Sequence, residues 1–125
     1  MPVLLVDAGV LIAAGRNETK AWALKSRARA RRIPIVVITP VLAQAWRGRR
    51  DVNMARFLKG CAVEPLSEEV ARRGGELCGQ AGTDDAIDAC LVAQAALRGD
   101  TIVTGDPGDI RALASLVFGV AVVEL

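Results

Sequence analysis

Short apolar runs alternate with segments of helical pattern along the whole of this 125-residue chain. The runs with the character of buried strands lie at 3–7, 34–38, 61–66, 101–106 and 119–125. Such alternation is typical of βα units, in which the strands run parallel and helices cover the sheet. The sequence therefore predicts an α/β fold with a central, mostly parallel sheet of about five strands. Without an internal repeat or a linker, residues 1–125 are predicted to form a single domain.

The helical segments carry residues that favour helix ends. Ser67 is a predicted N-cap, with Glu68 and Glu69 in the first turn, where the helix dipole favours negative charge. Asn17 is the predicted N-cap of the first helix, and Thr39 that of the second, which Pro40 then opens. The predicted helices cover 18–32, 41–48, 51–60, 68–82, 84–98 and 107–114.

The composition excludes several kinds of site. The chain has no histidine, which excludes zinc sites with imidazole ligands, Ser-His-Asp hydrolysis and proton transfer by histidine. Its three cysteines, Cys61, Cys78 and Cys90, are odd in number and lack the spacing of a metal site. We expect them to be reduced and mostly buried, as in a cytoplasmic protein.

No segment predicts a membrane span. The longest uncharged stretch, 33–46, is shorter than the roughly 20 apolar residues that a span needs, and it contains two prolines. The N-terminal apolar run lacks a preceding basic region and contains Asp7, so we interpret it as a strand and not as a secretion signal. The prediction is a cytoplasmic protein without membrane contact.

Acidic residues follow the predicted strands at one edge of the sheet. Asp7 ends the first strand, Asp106 ends the fourth, and Asp109 lies at the start of the next helix. Because functional groups of parallel α/β sheets gather outside the carboxyl ends of the strands, we expect these residues to meet at one rim. Thr104 carries a hydroxyl that can bond a carboxylate or a phosphate there, although an ordinary strand-end threonine is nearly as good an explanation.

The stretch GTDDAIDAC at 82–90 places three more carboxylates at the mouth of an apolar helix. Asp85 and Asp88, or Asp84 and Asp88, share one helix face, where like charges repel by roughly 0.2–0.5 kcal/mol per pair. Helix capping is the favoured explanation for Asp84, and it remains open for Asp85 and Asp109. Asp88 is flanked by apolar residues, which favours a functional role. A divalent cation would relieve the repulsion, and a site of oxygen ligands alone suits Mg²⁺ or Mn²⁺.

Four blocks of the sequence together resemble a PIN domain, in particular the VapC-type toxins of bacterial toxin–antitoxin pairs. The blocks lie in LLVDAGVLIAA, in VVITPVLAQAWRG and, as two, in DDAIDACLVAQAALRGDTIVTGDPGDI. On this resemblance, Asp7, Asp88 and Asp106 take the places of the family's catalytic, metal-binding acids. Asp85 and Asp109 match further acidic positions that also contribute to metal binding. The implied fold is PIN-like, with three α/β/α layers.

The resemblance implies hydrolysis of RNA phosphodiester bonds with Mg²⁺ or Mn²⁺. It also implies a cognate antitoxin protein, part of which occupies the active-site groove, and a homodimer. The chain departs from the family pattern in two ways. Gln44 stands where the family has glutamate, and Ala8 and Gly9 replace a small hydroxyl or amide residue. The amide of Gln44 can position substrate or coordinate a cation without adding charge, or it can be an ordinary polar group facing the groove.

Charge is distributed unevenly along the chain. Residues 1–62 carry 12 Lys or Arg and 3 Asp or Glu, a net charge of +9, whereas 63–125 carry 4 and 11, a net charge of −7. The basic half indicates a phosphate-rich partner, although an acidic antitoxin or two differently solvated faces explain it as well. The predicted RNA-binding residues, which we expect to bind phosphates beside the acidic groove, are Arg27, Arg31, Arg47, Arg49 and Arg50.

Two alternatives compete with an active ribonuclease. Gln44 supports a catalytically impaired PIN module that acts as a binding or regulatory partner. A different acidic α/β protein, such as a phosphatase or a receiver-like domain, is disfavoured. The first strand is followed by DAG and not by a DxD motif, and no aspartate ends the third strand.

Overall fold

Five parallel strands form one sheet in the computed structural model, which describes residues 3–48 and 51–125. The strands are β1 Leu4–Val6, β2 Ile35–Ile38, β3 Ala62–Glu64, β4 Thr101–Thr104 and β5 Ala121–Glu124. They lie side by side in the order β3-β2-β1-β4-β5, and every neighbouring pair is parallel. The central strand β1 has Leu4 opposite Ile35 on one side and opposite Thr101 on the other. The predicted α/β fold around a parallel sheet is confirmed.

Seven helices are found in the described residues. They are α1 Ala8–Gly15, α2 Thr19–Ala30, α3 Thr39–Ala45, α4 Val52–Leu58, α5 Glu68–Ala81, α6 Ala86–Arg98 and α7 Pro107–Ala114. Helix α1 packs against α2, α3 and α4, whereas α5, α6 and α7 pack against one another. Because crossovers between parallel strands are right-handed, these two groups cover opposite faces of the sheet. No described helix has the length and apolar character needed to cross a bilayer.

Burial explains why the central strands are continuous apolar runs. Leu5, Val6 and all four residues of β2 are buried, and α6 contributes seven consecutive buried residues, 89–95. A strand covered on both faces needs apolar side chains at every position. The edge strands β3 and β5 are mostly exposed. The core therefore holds β1, β2 and β4, and with them the carboxyl ends from which the site is built.

Helix α1 was not indicated by the sequence patterns. It begins at Ala8, directly after the strand and the single residue Asp7, and most of its residues are apolar. The helix has no polar face, and no turn residue separates it from the strand. The sequence pattern of the two elements is therefore that of one apolar run. The consequence for the site is that Asp7 is both the end of the strand and the N-cap of α1.

Helix caps agree with the predictions in part. Ser67 caps α5 by accepting a hydrogen bond from the Val70 N–H at 3.2 Å, as predicted. The prediction for Asn17 is wrong, because this residue has a left-handed backbone (φ 59°) and Glu18 occupies the N-cap of α2. The side chain of Asn17 instead accepts a hydrogen bond from a tryptophan indole. Thr39 is the first residue of α3 and not its N-cap, so this helix starts one residue earlier than predicted.

Candidate metal centre

Two neighbouring strands end side by side at the carboxyl edge of the sheet. Strands β1 and β4 are paired with Val6 opposite Val103, which brings Asp7 level with Thr104. The Asp7 N–H extends this pairing by donating to the Val103 carbonyl at 3.2 Å. The first predicted acidic residue therefore lies beside the turn formed by residues 104–106.

The carboxylate of Asp7 is buried and held by three hydrogen bonds. Its oxygens accept from the N–H groups of Val10 and Gly105, both at 3.1 Å, and from the hydroxyl of the fully buried Thr104. The Thr104 hydroxyl also accepts from the Asp106 N–H at 3.0 Å. A buried carboxylate is strongly unfavourable unless it has such partners. These bonds fix the Asp7 charge at the junction of β1, α1 and β4.

Two glycines allow this junction to close. A Cβ atom on Gly105 would lie 3.0 Å from the Gly9 Cα, and a Cβ atom on Gly9 would lie 3.0 Å from the Gly105 Cα and 3.2 Å from Asp7 Oδ1. These distances are tighter than nine in ten real Cβ contacts, so the facing backbone would have to move by a few tenths of an ångström. The sequence reasoning did not assign this pair a role at the site. The available signal was a glycine within three residues of the end of each strand.

Three carboxylates from two helices form a cluster at the same edge. Asp85, Asp88 and Asp109 each offer an oxygen, and these atoms all lie within 4.8 Å of one another. Asp85 is the N-cap of α6 and accepts from the Asp88 N–H at 3.4 Å, so the first turn of the helix fixes their spacing. Asp109 lies in the first turn of α7, which packs against α6. Residues more than 20 positions apart in sequence are thus brought together.

The electrostatics of Asp88 connect this cluster to Asp7. Burial raises the pKa of the Asp88 carboxyl from 3.8 to about 7, as do its hydrogen bond with Asp85 and the negative charges around it. Those charges belong to Asp85, Asp7 and Asp109. Among the described residues, no positive group offsets them. The four carboxyl groups therefore form one electrostatic unit, in which a proton or a cation is favoured.

The donor set of this unit fits a divalent cation. All its side-chain ligands are carboxylate oxygens, which suit hard ions such as Mg²⁺ and Mn²⁺ and not ions that require nitrogen or sulfur. Asp85 and Asp88 are half-buried and Asp109 is exposed, so a cation there would still contact solvent or a substrate phosphate. The residues present are therefore suited to Mg²⁺ or Mn²⁺.

Two predicted acidic residues lie outside the three-residue cluster. Asp84 is exposed and precedes the helix cap, so the pair on the helix face is Asp85 and Asp88, and not Asp84 and Asp88. Asp106 is exposed and is the N-cap residue of α7, without a side-chain capping bond. Its backbone is tied to Thr104, but its carboxylate is not one of the three that converge. A role for Asp106 in catalysis or metal binding stays a prediction.

Two predicted RNA-binding arginines lie at the other end of the sheet. Arg27 and Arg31 are near the end of α2 and line a groove with Leu4 and Thr101. Leu4 and Thr101 are the first residues of β1 and β4, at the amino ends of the strands. The two arginines are therefore not beside the carboxylates, in contrast to the predicted arrangement.

The remaining predicted residues lie in α3 or follow it in the sequence. Gln44 is exposed in the last turn of this helix, and Arg47 is exposed just after it. The Arg47 guanidinium donates to two carbonyls at the end of α3, at 2.7 and 3.3 Å. Arg49 and Arg50 lie outside the described residues. Roles for Gln44 and Arg47 in substrate positioning and RNA binding stay predictions.

A family model for the PIN domain matches residues 4–116. The chain belongs to the PIN domain family. PIN domains are generally nucleases and typically use a divalent metal. The resemblance seen in the sequence is thereby confirmed for nearly the whole length of the chain, and the acidic cluster lies within the matched region.

Solved structures with the same fold include toxin–antitoxin complexes. This PIN domain is similar to VapBC2 from Rickettsia felis bound to a fragment of promoter DNA, with a TM-score of 0.74, 14% identity and 98% of each chain covered. It is also similar to DNA-bound VapBC from Salmonella typhimurium (TM-score 0.71, 15% identity, 99% of this chain and 98% of that chain). A third similar structure is FitAcB from Neisseria gonorrhoeae (TM-score 0.67, 18% identity, 97% and 96%). No curated protein sequence matches this PIN domain.

Proposed function

We propose that this PIN domain is a metal-dependent endoribonuclease, and that it acts as the toxin of a type II toxin–antitoxin pair. The observation that carries the proposal is the convergence of carboxylates on Asp88, whose pKa is raised to about 7 by burial and by Asp85, Asp7 and Asp109. Carboxyl groups perturbed in this way are concentrated at functional sites. A divalent cation at the cluster would offset the repulsion and would provide the charge that phosphodiester hydrolysis needs.

The proposed roles follow from the position of each side chain. Asp85, Asp88 and Asp109 would hold a Mg²⁺ or Mn²⁺ ion, because their oxygens already lie within 4.8 Å of one another. When bound, the cation would stabilise negative charge on the scissile phosphate and lower the pKa of an attacking water. Asp7 would contribute a fixed negative charge beside the cluster. Asp106, exposed at the same edge, is proposed as a further ligand on the solvent side.

The degree of burial separates the three proposed catalytic acids. Asp7 is 7% exposed and is held by hydrogen bonds on both carboxylate oxygens, Asp88 is half-buried, and Asp106 is exposed. This order runs from the strand end outwards to solvent. An RNA phosphate would approach from the exposed side, whereas the buried side keeps the ligand geometry constant.

An antitoxin partner is proposed from the structural neighbours. VapBC2, VapBC and FitAcB share the fold at TM-scores of 0.67 to 0.74. By analogy, a cognate antitoxin would place a segment in the groove beside the cluster, and two PIN domains would form a homodimer. Co-expression with a candidate antitoxin should yield a complex in which RNA cleavage is suppressed.

RNA cleavage by matched aspartate variants tests the proposed activity. Asp88→Asn should reduce the rate of RNA cleavage in Mg²⁺ by at least about 100-fold, the upper end of the losses caused by disturbing the support of a metal site. Asp84→Asn removes the same charge four residues away, outside the cluster, and should leave the rate unchanged. EDTA should abolish cleavage by both the wild type and Asp84→Asn. Equal cleavage by the wild type and Asp88→Asn would contradict the assignment.

A catalytically impaired PIN module is the second candidate, and Gln44 is the residue that supports it. If its amide weakens metal binding, Gln44→Glu should increase both the affinity for Mn²⁺ and the rate of RNA cleavage. Calorimetric titration with Mn²⁺ can measure the first effect. Metal binding and cleavage seen only in Gln44→Glu would favour the impaired module, whereas full activity of the wild type would exclude it.

A further inference from the structure

A second charged surface lies at the amino edge of the sheet, away from the carboxylates. We call it the amino-edge basic surface and define it as Lys25, Arg27, Arg29, Arg31, Arg32, Arg56 and Lys59. Its members come from the second half of α2, the residues just after it, and the end of α4. Six of the seven are exposed, and Lys25 is half-buried.

Two grooves bring these side chains together. The larger, of about 450 Å³, runs between α2 and the end of α4 and is lined by Lys25, Arg29 and Lys59. The smaller, of about 200 Å³, runs between α2 and β5 and is lined by Arg27 and Arg31. Both grooves share two apolar floor residues, 28 and 33. Five of the seven positive side chains thus line two adjoining grooves that share part of their floor.

Lys25 holds the two helices in a fixed relation. Its ammonium group donates to the carbonyls of Arg56 and Phe57 at 3.0 and 2.7 Å, at the C-terminal end of α4. It also lies 5.6 Å from the ring centre of Trp22 and 5.3 Å from that of Phe57. A cation is favoured both at helix carbonyls and over aromatic faces. The basic side chains on α2 and α4 are therefore carried by a rigid pair of helices.

No ion pair neutralises this surface in the described part of the chain. The ion pairs found there involve Lys20, Arg72, Arg73 and Arg98, none of which belongs to the surface. Between residues 19 and 60 the only acidic residue is Asp51. Like charges collected without counter-charges indicate a polyanionic ligand.

The chemistry of the surface favours nucleic-acid phosphate over an acidic protein. Five of its seven residues are arginines, whose guanidinium groups bind phosphate through paired hydrogen bonds. Protein interfaces instead centre on exposed aromatic or apolar anchors. Of the large exposed hydrophobic residues of the described chain, only Val123 lines one of the two grooves; none lies on α2, and Val52 in α4 is at the far end of that helix from Lys59.

We propose that the amino-edge basic surface binds RNA phosphates at a distance from the scissile bond. This inference rests on the proposed ribonuclease function and narrows its substrate class. The two edges are separated by strands of three to four residues, roughly 10–13 Å at 3.3 Å per residue. A dinucleotide at the carboxylates cannot reach the basic surface, whereas a longer or folded RNA contacts both. The preferred substrate is then an extended or folded RNA.

RNA binding without cleavage tests this surface independently of catalysis. Fluorescence anisotropy in EDTA would measure the affinity for a folded RNA of about 40 nucleotides, and cleavage in Mg²⁺ would compare that RNA with a dinucleotide. Arg29→Gln combined with Lys59→Gln removes two charges from the surface. Arg72→Gln combined with Arg73→Gln removes the same charge from α5 and is the matched control. Thermal melting would establish that both double variants are folded.

The expected result is selective for long RNA. The Arg29/Lys59 double variant should bind the long RNA about tenfold more weakly. The slope of the logarithm of the binding constant against the logarithm of the salt concentration should be smaller by about 1.4, or about 0.7 for each lost phosphate contact. The control variant should keep the wild-type affinity for the long RNA. Equal weakening by the control, or no weakening of long-RNA binding, would overturn the proposal. A loss of polyglutamate binding without a loss of RNA binding would assign the surface to an acidic protein instead.

These outcomes are distinguishable from failure of the proposed function. If the wild type does not cleave RNA in Mg²⁺, the ribonuclease proposal fails, yet the anisotropy measurement still reports whether the surface binds RNA. If cleavage occurs but long and short RNA respond alike to the Arg29/Lys59 substitutions, the surface proposal fails alone. Where both hold, the double variant should cleave the dinucleotide at the wild-type rate and the long RNA more slowly at limiting concentration.

Discussion

Replacing Asp88 with asparagine should stabilise the metal-free protein. Burial is the largest cause of the raised pKa of Asp88, which goes from 3.8 to about 7. The hydrogen bond with Asp85 and the charges of Asp85, Asp7 and Asp109 act in the same direction. Asparagine has nearly the same shape and carries no charge, so it removes the repulsion while preserving the packing of the first turn of α6.

The sign and size of the effect follow from proton linkage. As the pH rises through 3.8, the unfolded chain releases the Asp88 proton before the folded chain does, so the free energy of unfolding falls until the pH passes about 7. At about 1.4 kcal/mol per tenfold change in proton affinity, the upper limit of the loss is about 4 kcal/mol. Because Asp88 is only half-buried and water screens its charge, we expect Asp88→Asn to gain about 1–2 kcal/mol.

Chemical denaturation in EDTA at several pH values measures this gain. It should be largest near pH 8 and decrease steadily as the pH is lowered towards about 4.5, because wild-type Asp88 becomes protonated in the folded state. Asp84→Asn, with its exposed carboxyl outside the cluster, should change stability by less than about 0.5 kcal/mol. A less stable Asp88→Asn at pH 8, or a gain that does not depend on pH, would refute the reasoning.

Three further substitutions probe the residues that support the site and the fold. Thr104→Val removes the hydroxyl that donates to Asp7, so it should lower the free energy of unfolding by about 1–2 kcal/mol and slow RNA cleavage. An unchanged cleavage rate would contradict the role of Thr104 in positioning Asp7. Gly105→Ala places a Cβ 3.0 Å from facing backbone and should lower both the melting temperature and Mn²⁺ affinity; wild-type values of both would show that the junction can relax. Asp100→Ala removes a buried carboxylate that accepts from the Val3 N–H at 3.1 Å and from Arg98 at 2.9 Å, while Arg98 keeps Glu64 as a partner. It should lower the free energy of unfolding by about 1–2 kcal/mol in urea, and a loss below about 0.5 kcal/mol would show that these hydrogen bonds are replaceable.

The sheet and the edge that carries the site could be predicted from the sequence for a simple physical reason. Strands buried on both faces must be apolar throughout. Strand β2 is therefore an uninterrupted apolar run in the sequence, and the other central strands, β1 and β4, are almost as clear. Once the strands are parallel, the residues that end β1 and β4 share an edge. Asp88 lies in the first turn of α6, the helix that precedes β4, so its carboxyl is near enough to Asp7 for the negative charge of Asp7 to raise its pKa.

The details of the site depend on single-residue shifts that pattern alone does not determine. Whether Asp84 or Asp85 joins Asp88 depends on where α6 begins, and the N-cap is Asp85. The same holds at α7, where Asp109 in the first turn joins the cluster and Asp106 at the cap does not. At each helix start the two aspartates have nearly equal preferences for the N-cap position. The packing of α6 against α7 therefore determines which carboxylates converge.

The position of the basic residues follows from topology and not from composition. Helix α2 leaves the carboxyl edge and returns to the amino edge, where β2 begins, so its last turns must lie far from the site. Arg27 and Arg31 belong to those turns. Net charge counted over the N-terminal half of the chain contains no information about this separation.

Binding of Mn²⁺ to the metal-free protein tests the central claim most directly. Titration followed by calorimetry should show that wild type and Asp84→Asn bind Mn²⁺ with the same affinity. Asp88→Asn and Asp109→Asn, which each remove one of the converging oxygens, should bind at least about tenfold more weakly. Wild-type binding no tighter than that of Asp88→Asn would contradict the account.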